Sequence, residues 1–257
     1  MLISGYVRTL SKPLSAALLC LAGLGVHGSE IPADTKTLEI PYREGQLMSL
    51  IAVDPKEGEA AATARQKYLG GAIRLAREYG LETLGSLSVS MAIIGDFHPS
   101  ALVFYAWPSE EAEAKFASAP GWASIRETRP FGWDELRIHD RVATKNEAMT
   151  FRSDRFYTLA TAWVNPEHPQ DYETYLKNIE PAMAAAGGRF FYEMESPDFA
   201  TLKDGLEKPS RLTLVEWEEP AALDRFLNSQ GFKRNAKLLN RGTSAFELLA
   251  LSVNPRT

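Results

Sequence analysis

Two stretches of the chain carry the same order of apolar and polar positions. Gln46 to Val53 is a short apolar run stopped by Asp54-Pro55 and reads as a strand. From Glu59 to Tyr79 the apolar residues fall three and four apart, at Ala61, Ala64, Tyr68, Ala72, Leu75 and Tyr79, which builds one helical face ended by Gly80. Leu87, Val89, Met91 and Ile93 alternate with small or polar residues, a strand pattern, and Ala101–Trp107 is a third strand. Ser109, followed by Glu110 and Glu111, caps a helix running to Ala117, and Leu136–Val142 closes the set. After a connector, Thr144–Ser153, the order returns. Phe156–Val164 is a strand, and Asp171–Ala186 a helix whose face is Tyr172, Tyr175, Leu176, Ile179, Met183 and Ala186. Arg189–Met194 and Arg211–Trp217 are strands separated by a polar loop, 196–210; Ala221–Leu227 is a helix and Ala245–Val253 the last strand.

The two stretches also share particular residues at a common offset of 110 positions: Trp107 with Trp217, Phe116 with Phe226, and Gly121-Trp122 with Gly231-Phe232. Each therefore reads βαββαβ, the order of a split βαβ, ferredoxin-like sheet with helices on one face only. A sheet cannot leave its other apolar face in water, so two such units are expected to close face to face. The predicted fold is α+β: two tandem ferredoxin-like units, 46–145 and 154–255, forming an intramolecular dimeric α+β barrel. Residues 29–45, polar with two prolines, read as a linker or arm.

Residues 1–28 differ in kind. They hold no acidic residue, carry Arg8 and Lys12, and run through the apolar LSAALLCLAGLG to a small-residue end, the layout of a secretory signal. The run is shorter than the roughly 20 residues that cross a bilayer. Its removal takes two basic residues and moves the net charge from −5 to −7, a balance that disfavours nucleic acid and anionic membranes. Cys20, the only cysteine, leaves with it, which excludes disulfides, thiolate ligands and a cysteine nucleophile from a mature chain. A periplasmic or secreted protein, monomer or homodimer, is the expectation.

With these elements in place, the chain resembles the dimeric α+β-barrel superfamily, which includes cofactor-free monooxygenases, isomerases, cyclases, haem-degrading enzymes and chlorite dismutases. The residues that carry the resemblance are YTLATAWVNPE, DYETYLKNIEPAMAAAGGRFF and RLTLVEWEEPAALDRFLNSQGF, so the second unit resembles a bacterial domain family of unassigned function over about Phe156–Asn254. Such families often show a Ser-Pro-Glu-Tyr-like segment after the second helix; Ser229-Gln230-Gly231-Phe232 stands there in this chain. The resemblance implies a fold, which hosts many activities.

Candidate chemistry is sparse. His98 lies in a turn beside Asp96, and His168 precedes a helix; no two of His98, His139 and His168 have metal-ligand spacing, so no metal is expected. His139 shares one strand face with Arg137 and Arg141, a wall that suits an anionic ligand or an electrophilic role in catalysis. Tyr105 and Trp107 share a face with Val103, and Trp217 with Val215, Thr213 and Arg211; with Trp163 they line a pocket if that face looks into the barrel and are core if it meets the helices. Arg189 and Glu193 share a strand face near Glu216, either an acid–base pair or a surface ion pair. The candidate catalytic residues are thus His139, Arg211 and Glu193, and the candidate ligand-binding residues Tyr105, Trp107, Trp163, Arg189 and Trp217. No cofactor is called for, and a haem held by His139 stays open. Two readings stand: a small-molecule protein whose halves enclose an apolar pocket, as in a cofactor-independent oxygenase, isomerase or cyclase acting on an apolar or aromatic ligand, or a non-catalytic binding or interaction module with a packed interior.

Overall fold

The computed structural model describes residues 35–253; the expected signal segment, with Cys20, lies outside the described residues. Eleven strands and seven helices follow one another as β1 (Thr37–Tyr42), β2 (Leu47–Pro55), α1 (Glu59–Glu78), β3 (Glu82–Ile94), β4 (Ala101–Trp107), α2 (Glu110–Ala117), α3 (Trp122–Arg126), α4 (Arg129–Gly132), β5 (Trp133–Val142), β6 (Glu147–Arg152), β7 (Phe156–Val164), α5 (Pro169–Ala185), β8 (Gly188–Glu195), β9 (Asp198–Thr201), β10 (Arg211–Trp217), α6 (Pro220–Asn228), α7 (Gln230–Gly242) and β11 (Thr243–Val253). Among the described residues no helix is long and apolar enough to cross a membrane.

Nine strands form one antiparallel sheet in the order β8-β10-β7-β11-β3-β4-β2-β5-β9. In each half of the chain the strand order is the ferredoxin-like one: β3-β4-β2-β5 in the first half and β8-β10-β7-β11 in the second. The halves meet where β11 pairs with β3, from Leu248 opposite Ile94 to Val253 opposite Leu87. At the other end the short β9 pairs with β5. Ser196, with φ 43°, turns the chain out of β8 immediately before β9. One continuous segment therefore leaves β8, at one end of the strand order, and joins β5, near the other, which curls the sheet round on itself.

The face of the sheet turned inward is apolar in both halves and forms a single core. Met48, Leu50, Leu102 and Phe104 from the first half pack with Tyr157, Leu159, Leu212 and Leu214 from the second. Two segments read from sequence as an arm and a connector belong to the same core. Thr37–Tyr42 and Glu147–Arg152 pair as the antiparallel ribbon β1–β6, whose Ile40, Tyr42, Met149 and Phe151 fill the interior. Gly85 makes room for the ribbon, since a side chain there would press on Leu38 at 2.6 Å. The alternation in these strands is short and split by Pro41, so they carry little signal until the sheet offers a face to cover.

What remains empty between the halves is about 10 Å³, lined by Tyr42, Leu50, Phe104 and Leu214, room for about one water. Among the described residues the halves therefore do not enclose, at this place, the apolar pocket expected between them. The β1–β6 ribbon occupies that space, and buried polar pairs complete the packing. Arg137 donates from Nε to Glu135 at 2.5 Å and from Nη1 to Glu247 of β11 at 2.6 Å, and its guanidinium lies 3.8 Å from the Phe97 ring. Arg141 donates to the Tyr192 hydroxyl at 2.6 Å and is ion-paired with Glu147.

The outward face of each half carries its helices. In the second half, α5, α6 and α7 cover β7 and β10, with Tyr175, Ile179, Met183, Trp217, Phe226 and Leu239 in one cluster. Helix α7 lies in a stretch to which the sequence pattern assigns no element; it is strongly polar on one side and buries only Phe232, Leu239 and Gly242. In the first half, α1 with the shorter α2, α3 and α4 cover the corresponding strands around Tyr68, Trp107, Phe116, Trp122 and Trp133.

Candidate functional site

The two helix–sheet layers are packed to different degrees. Between α5–α7 and their sheet the free volume is about 60 Å³, whereas between α1–α4 and theirs it is about 580 Å³. The larger value falls inside the roughly 300–1,000 Å³ of small-molecule sites. Aligning α1 and α5 at Gly80 and Gly187, the glycines that follow their caps with φ 88° in both, explains much of the difference. Ala76 then stands where Met183 stands, and Ala72 where Ile179 stands. Each alanine lacks most of the side chain that fills the second half. A further cause is the second layer: α7 runs 13 residues along α5, while α3 and α4 are 5 and 4 residues long.

The walls of the cavity are aromatic and aliphatic. Ile51 and Val53 come from β2, Val103, Tyr105 and Trp107 from β4, and Tyr68, Phe116, Trp122 and Trp133 close the sides. The exposed Leu69 and Arg126 also line it, so it opens to solvent beside α1 and α3.

Two polar residues stand together at one end. β2 and β5 pair with Ser49 opposite Asp140, and the Ser49 hydroxyl donates to Asp140 Oδ1 at 2.5 Å. Both line the cavity. Burial pushes the Asp140 carboxyl up to about 6, Glu113 and Asp198 add to the effect, and the Ser49 hydrogen bond opposes it. Glu113, on α2 and also lining the cavity, is raised by burial as well. Burial raises the Tyr105 hydroxyl too, so it stays a neutral donor. A carboxylate that titrates near neutrality at the end of an apolar chamber is the arrangement of a general base.

The strand alternation of β5 separates this site from its neighbours. Asp140 faces the helices, while Arg137, His139 and Arg141 face the interior. His139 is 3% exposed, its ring lies 5.1 Å from that of Phe199, and its Nδ1 has no hydrogen-bond partner among the described residues. Burial, and then Arg137, lowers it to about 3, so the imidazole is neutral. The cationic face expected to receive an anion is instead neutralised by Glu135, Glu247 and Glu147.

The other candidate residues divide between the layers. Tyr105 and Trp107 line the cavity. Trp217, 2% exposed, donates from Nε1 to Thr158 at 3.0 Å inside the second half's core. This face meets the helices in both halves, the case in which the sequence reading expects core; it is core in the second half, but in the first it is the wall of a pocket on the helix side. Trp163 donates to the Glu207 carbonyl at 2.7 Å. Arg211 is ion-paired with Glu173 and Glu195, both at 2.9 Å, and Arg189 with Glu216 at 2.8 Å. Glu193 is exposed. None of these residues reaches the cavity, and the structure does not bring Arg189 and Glu193 to a common site. Asp140, Ser49 and Glu113 went unnoticed in the sequence because each looks like an ordinary surface polar residue there. The one available signal was Asp140 breaking the apolar side of a strand otherwise made of Leu136, Ile138 and Val142.

The fold and the site together define a class, an α+β protein of the dimeric α+β-barrel type with a small-molecule-sized pocket. Residues 156–252 match the model of a domain of unknown function, DUF1330. The comparison with curated proteins returns no match. Among solved structures, an anthrone oxidase-like protein is similar over 84% of this chain and 94% of its own, at 14% identity and a TM-score of 0.51. A chlorite dismutase from Candidatus Nitrospira defluvii in complex with imidazole is similar over 83% of this chain and 93% of its own, at 8% identity and a TM-score of 0.43. A protein of unknown function from Rhodopseudomonas palustris covers 40% of this chain and 86% of its own, at 14% identity and a TM-score of 0.36.

Proposed function

We propose that the protein is an exported, tandem α+β-barrel protein that binds an apolar aromatic compound in the first half's cavity and takes a proton from it with Asp140. The single observation that carries this reading is the coincidence of an aromatic chamber of about 580 Å³ with a carboxyl group held near neutrality at its end. Two copies of one βαββαβ unit supply each other's cover, so one chain suffices and the second copy serves as scaffold.

The chemistry follows from the residues present. Tyr68, Trp107, Trp122 and Trp133 hold a flat ring and exclude water, which strengthens every electrostatic interaction inside. Asp140, ionised above about pH 6, accepts a proton from an acidic C–H or O–H of the bound compound. Ser49 fixes the carboxylate's orientation, and the neutral Tyr105 hydroxyl is a donor for the oxygen on which charge develops. Removing such a proton is the first step shared by cofactor-independent oxygenation, isomerisation and cyclisation. Among the described residues no histidine, cysteine or methionine lines the cavity; of the usual axial donors to haem only the tyrosines Tyr68 and Tyr105 are there, and no step here runs through such a group.

The test is proton exchange. Incubated in D2O with 2-tetralone, the protein should speed loss of the ketone's α-proton signals, with a rate that rises through about pH 6 and levels off. Asp140→Asn should reduce the rate by about 10²-fold or more, and an unchanged rate would remove Asp140 from the chemistry. Filling the chamber with Ala72→Ile and Ala76→Met should abolish both binding and exchange. For export, the mass of the protein recovered outside the cytoplasm should lack residues 1–28.

A further inference from the structure

The cavity's rim carries positive charge that its interior does not. Arg65 of α1, Arg126 at the end of α3 and Arg129 at the start of α4 all line it. What holds Arg65 and Arg129 is neutral. Arg65 Nη1 donates to the carbonyls of Lys56 at 2.5 Å and Gly132 at 3.0 Å. Arg129 donates from Nε to the Tyr68 hydroxyl at 2.7 Å, and its guanidinium lies 5.5 Å from the Tyr68 ring and 5.1 Å from that of Trp122. Arg126 is exposed and has no such contact among the described residues.

Among the described residues Arg137, Arg141, Arg152, Arg189, Arg211, Arg225 and Arg241 are each ion-paired with a carboxylate, whereas the three rim arginines, like Arg43, Arg74, Arg77, Arg155 and Arg234, are not; the rim is distinguished by bringing three such arginines to one cavity. Three cations gathered on one rim repel one another, and an anion settling there relieves that repulsion. Arg129 is the best placed, because packing against two rings fixes its plane while its terminal nitrogens keep their donors free for a bidentate acceptor.

We propose that this rim recognises a carboxylate, so that the compound bound in the cavity is an amphipathic aromatic acid entering ring first. The inference rests on the cavity reading above and adds the ligand's polarity to it. The two ends of the chamber enforce one orientation. Asp140 and Glu113 lie toward the end of β5, and Trp133, beside Arg129, begins that strand. At about 3.3 Å per residue the two ends are about 20 Å apart. A carboxylate is repelled from the acidic end and held at the basic rim, which leaves the ring among Tyr68, Trp122 and Trp133 and the ligand's far end directed toward Asp140.

The experiment is a calorimetric titration of the full chain with 2-naphthoate and, in parallel, 2-naphthol, a similar ring without the carboxylate. The expected result is about tenfold tighter binding of 2-naphthoate at low ionic strength, narrowing as salt is added. The Arg126→Gln/Arg129→Gln variant should bring 2-naphthoate to the affinity of 2-naphthol while leaving 2-naphthol unchanged. Should that variant not fold, because Arg129 supports Tyr68, the exposed Arg126→Gln alone should weaken 2-naphthoate about threefold and spare 2-naphthol. Binding of 2-naphthol with no preference for the carboxylate, or a preference that survives these substitutions, overturns this inference and leaves the cavity reading intact. Failure of both compounds to bind overturns the two together.

Discussion

The helix–sheet layers of the two halves have the same strand order beneath them and opposite packing above. In the second half, Ile179 and Met183 of α5 reach Trp217 and Phe226, and little space is left. In the first, Ala72 and Ala76 leave the aromatic side chains of β4 and β5 facing an open chamber. The backbone that makes a stable core and the backbone that makes a binding site are thus the same. Two side-chain positions on one helix, with a long or a broken second helical segment, decide between them.

The strongest way to break the comparison is to hollow out the packed half. Ile179→Ala and Met183→Ala should each lower unfolding free energy by about 2–5 kcal/mol, since each leaves a cavity in a filled layer. Urea denaturation measures this, and a loss below about 1 kcal/mol would mean that the second half is no better packed than the first.

The next effect sharpens the contrast between the two faces of β5. His139, on the inward face, stays neutral down to about pH 3, whereas an unfolded histidine is protonated below about 6.5. Its folded value is depressed, so the unfolded state takes up the proton first and stability is lost as pH falls below 6.5. Between pH 7 and pH 4 the native protein should therefore lose about 3 kcal/mol more than His139→Gln does. Matching acid-unfolding curves for the two proteins would contradict the buried placement.

Asp140, its neighbour on the opposite face, has the reverse sign. Its folded value of about 6 lies above the usual 3.8, so the native state binds its proton more tightly. The penalty for ionising it is fully present above pH 6 and is relieved as pH falls toward 4. Asp140→Asn should then stabilise the protein by about 2–3 kcal/mol at pH 8 and by little at pH 4. A stabilisation independent of pH would show that the carboxyl is not desolvated by the chamber.

The smallest effect on stability comes from the converse exchange. Ala72→Ile with Ala76→Met adds apolar contacts to an open space and should change the melting temperature by only a few degrees, about 1 kcal/mol in either direction, while removing the binding site. A loss of several kcal/mol would mean that the space is filled by rearranged side chains in solution.

Periodicity by itself determined most of the elements and their order. The three-and-four spacing of Tyr68, Ala72, Leu75 and Tyr79 and the alternation around Leu87–Ile93 are local properties of a helix and a strand, and they survive folding unchanged. The matched residues from Trp107 to Trp122 and from Trp217 to Phe232 likewise marked equivalent elements, strand ends and the helices that follow them. Alternation also placed Arg137, His139 and Arg141 on one face, because side chains along a strand must point in turn to opposite sides. It could not say which face meets helices and which meets the other sheet.

Only the tertiary structure decided what each face encounters, and with it the site. The β1–β6 ribbon fills the interior because Ile40 and Phe151 find apolar strands from both halves there, an arrangement between segments more than a hundred residues apart in the chain. Volume is equally non-local. Ala72 and Ala76 are ordinary helix formers in the sequence, and they become the walls of a chamber only because Val103, Tyr105 and Trp107 stand opposite without reaching them. The character of Asp140 has the same origin: a carboxyl group acquires a raised proton affinity from the solvent it loses, and that loss exists only once α1 and α2 have closed over the strand.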